Sequence, residues 1–484
     1  MPLKKTLGTG LLVLACSLAS YGQANPNNSA QNPYYGSVQA VAATPDVKRL
    51  SLDDAIQLGI QNNLALTVAR ENEKTADAQR LQLVNNLMPN ISLHGEHGLH
   101  QLNLAALGFK PSLLPSFGLT PAEAAAFPEI VKINSTIGQA NLSQPLFTWA
   151  GWDVWKAAKA SRSAAYYNTQ SSRGLVVLNV GTQYLQTLAA SAQVDYAQAL
   201  LKTDETLLYQ AQEEHKAGTA ANLDELRARV QYQTQQQTLI AAENNFEKSK
   251  IALNRQIGLA PEQQIQLIDA TPYADLAEMT IAEAKQQAYA SRQDYQSLKQ
   301  QIRAAQLERQ ATKHERFPTI TFNANYGVQG VTGLTYHGIF SSSGSLDVPV
   351  FQEAKFRSDR DAAEAQLNEL NTQFNDLTNK IDQQLRDSML DLESAAELVR
   401  VSRSNVDLAT TALGQSTDRF QAGVDDNLPV VQAQSTLAQA QTQYVSNVYQ
   451  FNQAKLGLAR NLGIVDTQYK NYIGGNVPPP QGGK

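Results

Sequence analysis

One cysteine, Cys16, stands in the whole 484-residue chain. That excludes an internal disulfide framework and any zinc site built from cysteines. Charge is scarce too: only 17% of residues are charged, and 39 Lys+Arg against 44 Asp+Glu leave a formal net charge of -5. A nucleic-acid binder would need a basic face, which this balance does not supply. After the N-terminus no apolar run approaches the ~18–20 residues of a membrane-spanning helix, so a polytopic helical membrane protein is excluded. No Ser/His/Asp or Cys/His arrangement has supporting local sequence, and no glycine-rich phosphate loop follows a strand. The chain therefore reads as a non-enzyme, with no catalytic, cofactor-binding or metal-binding residue assigned. His94, His97 and His100 invite a metal reading. On a strand, however, His94 and His100 would share a face about 20 Å apart while His97 points away, so one chain cannot chelate through them.

What is present begins with an export signal. Lys4 and Lys5 precede an apolar stretch from Leu7 to Ala19, the pattern of a secretory signal peptide. Two processing routes stay open: Val13-Leu14-Ala15-Cys16 resembles a lipobox, which would lipidate Cys16, and Gly22-Gln23-Ala24 suits ordinary cleavage before Asn25. Residues 1–24 are thus assigned to the signal, 25–49 to a linker rich in Asn, Pro, Gln and Ser, and 466–484 to a flexible tail.

Between these lies an internal duplication. Leu52, Ala55 and Pro89-Asn90-Ile91-Ser92-Leu93 align without a gap on Ile281, Ala284 and Pro318-Thr319-Ile320-Thr321-Phe322. Leu142-Ser143-Gln144-Pro145-Leu146-Phe147 matches Leu346-Asp347-Val348-Pro349-Val350-Phe351. Ala217-Gly218 with Asn222-Leu223 matches Ala422-Gly423 with Asn427-Leu428, and Ile257-Gly258-Leu259 matches Leu462-Gly463-Ile464. The two repeats are bounded at 50–270 and 271–465.

Each repeat opens on a capping signal, Ser51-x-x-Asp54 or Thr280-x-x-Glu283. The helix that follows is expected to stop at Pro89 or Pro318. Beyond Pro318 the period becomes two: Ile320, Phe322, Ala324, Tyr326 and Val328 alternate with polar residues, which specifies a strand. Strands are expected at about 90–104 and 130–146 in the first repeat, and at 318–330 and 335–350 in the second. Long amphipathic helices follow. From Asp153 to Ala217 there is no proline, and apolar residues recur every three or four positions, so the helix would run on the order of 100 Å. Gly218 and Gly423 mark the ends of these helices, at tips of about 217–223 and 422–428, and antiparallel partner helices return. Trp149, Trp152 and Trp155 cluster past a strand end, as an interfacial belt or as packing where strand meets helix.

Four strands are too few to close a barrel. On alternation alone, a barrel completed by several subunits and a sheet packed on helices remain equal readings. The duplicated Pro-bounded hairpins, the Pro-Leu-Phe (145–147) and Pro-Val-Phe (349–351) transitions and the paired Ala-Gly turns together resemble the TolC-like outer-membrane efflux protein family. The resemblance implies a mainly α chain with a membrane β-barrel contribution: a homotrimer with a twelve-stranded barrel in outer-membrane lipid, continued by an α-helical periplasmic tunnel. It implies a passive exit duct of a tripartite efflux or secretion system in a Gram-negative-type outer membrane, docking on a periplasmic adaptor and an inner-membrane pump. Adaptor contact would fall on Gly218, Asn222, Gly423 and Asn427, and the pore constriction on Asp425 and Asp426. Asp224 fits the family's acidic position after the first turn. Its counterpart is Pro429, so the second repeat lacks the usual carboxylate there. The alternative is a periplasmic coiled-coil adaptor or scaffold without a pore, against which the amphipathic strands argue.

Overall fold

The structure is a computed structural model that describes residues 32–38, 41–107, 110, 112, 114–118, 120–219, 221–269, 279–331 and 333–474. The signal segment and Cys16 lie outside the described residues. The two repeats follow one plan. Ser51 caps α1 (Leu52–Asn62) and Thr280 caps α6 (Ile281–Ser291), each through a reciprocal capping box with Asp54 or Glu283. Both helices then break after eleven residues. The chain resumes as α2 (Leu64–Asn85) past Asn63 and as α7 (Gln293–His314) past Arg292. The sequence reading expected one continuous helix here. The break at Asn63 follows from its side chain, which caps the backbone N–H groups of Ala65 and Leu66.

Both second helices end a turn before the prolines, and strands follow. In the first repeat these are β2 (Asn90–Asn103) and β3 (Ile130–Phe147), with the short α3 (Pro121–Ala125) between them. In the second they are β5 (Thr319–Val331) and β6 (His337–Asp347). They form one four-stranded antiparallel sheet in the order β2-β3-β5-β6. Pro145 does not close β3: the strand continues through a register shift to Phe147, where a proline without an N–H is tolerated.

Helices α4 (Trp149–Lys216) and α8 (Glu353–Gln421) are 68 and 69 residues long, on the order of 100 Å each. They return as α5 (Asn222–Ile257) and α9 (Leu428–Asn461). Gly181 lies within α4. A Cβ there would come within 3.0 Å of Leu456, so the missing side chain lets α9 approach. Among the described residues no helix is long and apolar enough to cross a membrane.

The main core sits at mid-height. Ile56, Val176, Val180, Tyr184, Leu253, Ile257, Ile381, Leu385 and Leu456 are fully buried there. Two sequence assignments are corrected at this level. Part of the presumed linker is ordered: β1 (Lys48–Leu50) pairs in parallel with β4 (Ile265–Leu267), and the Tyr184 hydroxyl bonds the Leu50 carbonyl. Part of the presumed flexible tail is α10 (Val465–Gly474). It buries Val465, Tyr469 and Tyr472 in the core, and the Tyr469 hydroxyl bonds Asp53. Apolar burial outweighs the ordering cost in both segments.

Candidate functional site

Two regions carry the functional geometry: the sheet and the tip. Register places Leu93, Ala140, Tyr326 and Phe340 in one row across all four strands, with Ile91, Leu142 and Ala324 beside it. Leu93 is 86% exposed, Tyr326 70% and Phe340 69%. The opposite face carries Ser92, Asn141, Asn325 and Ser341 in one row and Asn90, Ser143, Asn323 and Ser343 in another. Cross-strand bonds such as Ser143 Oγ to Asn323 Oδ1 (2.9 Å) and Asn325 Nδ2 to Gln139 Oε1 (3.1 Å) satisfy parts of this face. One face is thus dominated by apolar side chains, with Ser342 closing the second row, and the other by amides and hydroxyls. Such a surface needs an apolar surrounding, and the alternation matches a strand with lipid on one side and water on the other. Among the described residues, β2 and β6 each pair along one edge alone.

His94 and His100 lie on the polar face and flank Glu96, at 3.4 and 3.9 Å. Gly98 leaves the space over which the His100 ring leans. His97 faces away and meets Thr136 at 2.8 Å. No group of three potential ligands fit to hold a metal occurs among the described residues.

Where strands pass into helices, the three tryptophans gather. Trp149 meets Phe147 edge-on and lies tilted beside His314, and Trp152 packs edge-on to Trp155. His314 Nδ1 meets the buried Asp153 at 2.5 Å. The ring lies in the last turn of α7 and the carboxylate just past the first turn of α4, so the pair ties the end of one helix to the beginning of the other. Sequence reading missed this pair because 161 residues separate its members.

The tip is built by two Schellman turns. Gly218 (φ +74°) and Gly423 (φ +70°) take the left-handed conformation that glycine adopts without a Cβ penalty. Thr219 N–H then bonds Glu214 O (2.9 Å), and Val424 N–H bonds Arg419 O (3.0 Å). Asn222 is exposed at the start of α5. Asn427 departs from its expected role: it is fully buried, and its Nδ2 donates to the Asp224 carbonyl at 2.7 Å, tying the second turn to the first. It is shielded from any docking partner.

Asp425 and Asp426 are not bare acids. Asp425 pairs with Arg419 Nε at 2.6 Å, and this bond holds its carboxyl below the usual range. Asp426 Oδ2 lies 3.3 Å from Arg227 Nη1, while its Oδ1 accepts the Leu428 N–H. Arg227 also reaches Asp224 at 3.3 Å. One guanidinium therefore bridges the carboxylates of both turns. Sequence order gave no signal for this, since Arg227 and Asp426 are 199 positions apart.

Comparison with known proteins gives one consistent outcome. The sequence profile described as "Outer membrane efflux protein" matches residues 55–259 and 284–464. OpmQ of Pseudomonas aeruginosa, a pyoverdine export outer membrane protein, is 24% identical over 416 residues, covering 85% of each chain. The outer membrane protein TolC of Escherichia coli is 20% identical over 387 residues, 74% of this chain and 76% of that one. Among solved structures, the Campylobacter jejuni CmeC outer membrane channel superposes with a TM-score of 0.70 at 15% identity, covering 86% of each chain. The outer membrane protein VceC of Vibrio cholerae gives 0.69 at 16% identity, covering 85% of this chain and 96% of that one.

Proposed function

Since the chain belongs to the outer membrane efflux protein family, we propose that it works as a homotrimeric exit duct whose barrel is assembled from three copies of its four-stranded sheet. The observation that carries this reading is the exposed apolar sheet face with free outer edges on β2 and β6. An open edge is a pairing template, and β2 of one copy meeting β6 of the next removes every edge. Two copies would give eight strands, a size whose interior is filled by side chains, whereas three give twelve and leave a lumen. The amide and hydroxyl face then lines the water path, and the apolar face meets lipid.

The helices continue the duct. Leu223, Leu226, Val230, Ile240 and Ile251 on α5, and Leu390, Leu398, Val401 and Leu408 on α8, are exposed at coiled-coil-like intervals. Packing of these stripes between copies closes the helical wall. A pore-less adaptor would have no use for the apolar sheet face. Transport is passive, and the cargo is chosen upstream by a pump and adaptor that dock at the tip through Gly218, Asn222 and Gly423. The relatives' cargo differs accordingly, with pyoverdine export, alkaline protease secretion and toluene efflux among their names.

Membrane fractionation followed by mass determination in detergent tests this reading. A particle of three chains extracted from the outer membrane is expected. A monodisperse monomer that stays soluble without detergent would sink the barrel and the duct together.

A further inference from the structure

The two hairpins of one chain pack together above the tip in stacked layers. Leu200 of α4, Ala409 of α8 and Leu437 of α9 form one buried layer. Nearer the tip, Leu207 and Ala211 of α4 join Ala228 of α5, Phe420 of α8 and Val430 of α9. The buried positions of α4 run Leu200, Asp204, Leu207 and Ala211, and those of the opposed α9 run Val430, Gln434 and Leu437. Both follow the four-and-three spacing of a coiled-coil seam. Asp204 and Gln434 therefore share the level between two apolar layers.

Neither is well satisfied there. Asp204 is 1% exposed and Gln434 2%. Asp204 Oδ2 accepts a long 3.4 Å bond from Gln231 of α5. Its Oδ1 and both amide atoms of Gln434 have no hydrogen-bond partner. Among the described residues no charge compensates the carboxylate. On α9, Leu428 through Gln443 include no ionisable residue, and on α8 Arg403 and Asp407 point to solvent. On α5, Arg227 is engaged at the tip, Arg229 is paired with Glu225 and Tyr232 is half-buried. Lys202 and Glu205 of α4 itself are exposed.

We propose that Asp204 and Gln434 form a proton-switched polar layer that sets how firmly the two hairpins hold together above the tip. Protonated, the carboxyl is neutral and gains an O–H that the Gln434 carbonyl oxygen can accept, while the Gln434 amide can donate back. Deprotonated, it is a buried acceptor-only anion with one weak partner, which strongly disfavours the packed arrangement. Burial pushes Asp204 up from 3.8 to about 6, opposed by the hydrogen bond from Gln231. The sign follows from linkage. A carboxyl held above its ordinary value in the packed state contributes fully below about pH 4 and loses that contribution as pH rises to about 6. A shift of about two units corresponds to a roughly hundredfold change in the packing equilibrium. Asp204 lies about 18 Å along α4 from the helix end at Lys216. Acid therefore locks the hairpins and neutral pH frees them to splay. The inference needs only contacts within one chain, so its failure would leave the duct reading standing, and a soluble monomer would not touch it.

Hydrogen–deuterium exchange on the detergent-solubilised full-length protein tests it, at about pH 5 and about pH 7.5, corrected for the intrinsic pH dependence of exchange. In peptides covering residues 196–212 and 428–441, protection should fall roughly tenfold at the higher pH, because a group with a value of about 6 is already about one unit from its midpoint at pH 5. Asp204→Asn, uncharged and of equal size, should hold acid-level protection at both. Wild-type protection that does not change with pH would overturn the proposal without any variant. So would an Asp204→Asn protein that keeps the wild-type pH dependence.

Discussion

Replacing Gly463 by alanine should damage the molecule far more than the same change at Gly423, although both glycines close long helices with nearly equal positive φ (+78° and +70°). The left-handed conformation costs a non-glycine residue roughly 1–2 kcal/mol at either site. The surroundings differ. At Gly423 an added Cβ meets nothing within 4 Å. At Gly463 it would lie 2.5 Å from Arg292 N, 2.6 Å from Ser291 C and 2.7 Å from Arg292 Cα, all backbone of the α6–α7 break. Main chain cannot rotate aside, so the end of α9 must lift off that break. Overpacking of this kind adds roughly 1–3 kcal/mol, bringing Gly463→Ala to about 2–5 kcal/mol against about 1–2 for Gly423→Ala. Gly258→Ala should fall between, because its Cβ would meet the Asn62 side chain at 2.7 Å, and a side chain can move. Unfolding of a large assembly is governed by its rate, so the measure is the half-life of helical circular dichroism at a fixed elevated temperature. Gly463→Ala should shorten it roughly five- to hundredfold more than Gly423→Ala, tenfold being ~1.4 kcal/mol of barrier. Equal half-lives for the two variants would refute the argument that backbone contact at mid-height, and not helix-end conformation, decides the cost.

Three further outcomes are expected. Asp425→Asn with Asp426→Asn leaves Arg419 without its partner and Arg227 with Asp224 alone, so in planar bilayers the reversal potential should move toward anion selectivity, most at low ionic strength; an unchanged potential would place both acids away from the water path. Asn427→Ala removes the bond to Asp224 O and should cost about 1–2 kcal/mol, read as faster proteolysis confined to residues 419–430, and a cleavage rate equal to wild type would mean the turns are held by the arginine bridge alone. Burial would raise the Asp294 carboxyl, but the doubly bonded Arg292 guanidinium overrides it and holds the group at about 2; its stabilisation should be complete above about pH 4 and fade as pH falls toward 2, a decline that Asp294→Asn should lack in acid titrations of thermal stability.

The local signals of the fold were legible where a residue's own chemistry decides the backbone. Both capping boxes, both tip glycines and the alternation at Ile320–Val328 are written in consecutive residues, and the structure has each of them. What escaped were features decided by distant partners. Arg292 breaks a helix without any side-chain cap, and the contact that accompanies the break is Gly463, far along the chain. β1 forms only because β4 lies 217 residues away. The helix at Val465–Gly474 did leave a signal, since Tyr469 and Tyr472 stand three apart and share a buried face, but the proline-rich residues beyond it dominated the composition. At the tip, the sequence supplied the acids and not their neutralisation. The Arg227 bridge depends on how two hairpins stand side by side.

The anchoring of β1 and α10 at mid-height has a practical consequence for engineering. β1 and α10 both fasten to the core around Val176, Ile257 and Leu456. Val176 is about 60 Å of helix from the tip at Lys216 and about 40 Å from the first turn of α4 at Trp149. A fluorescent reporter or affinity handle attached to α10 at the exposed Thr467 would thus sit at the waist of the molecule, leaving both ends clear. Labelling at that point offers a view of the protein in living cells without adding bulk to either the sheet or the tip.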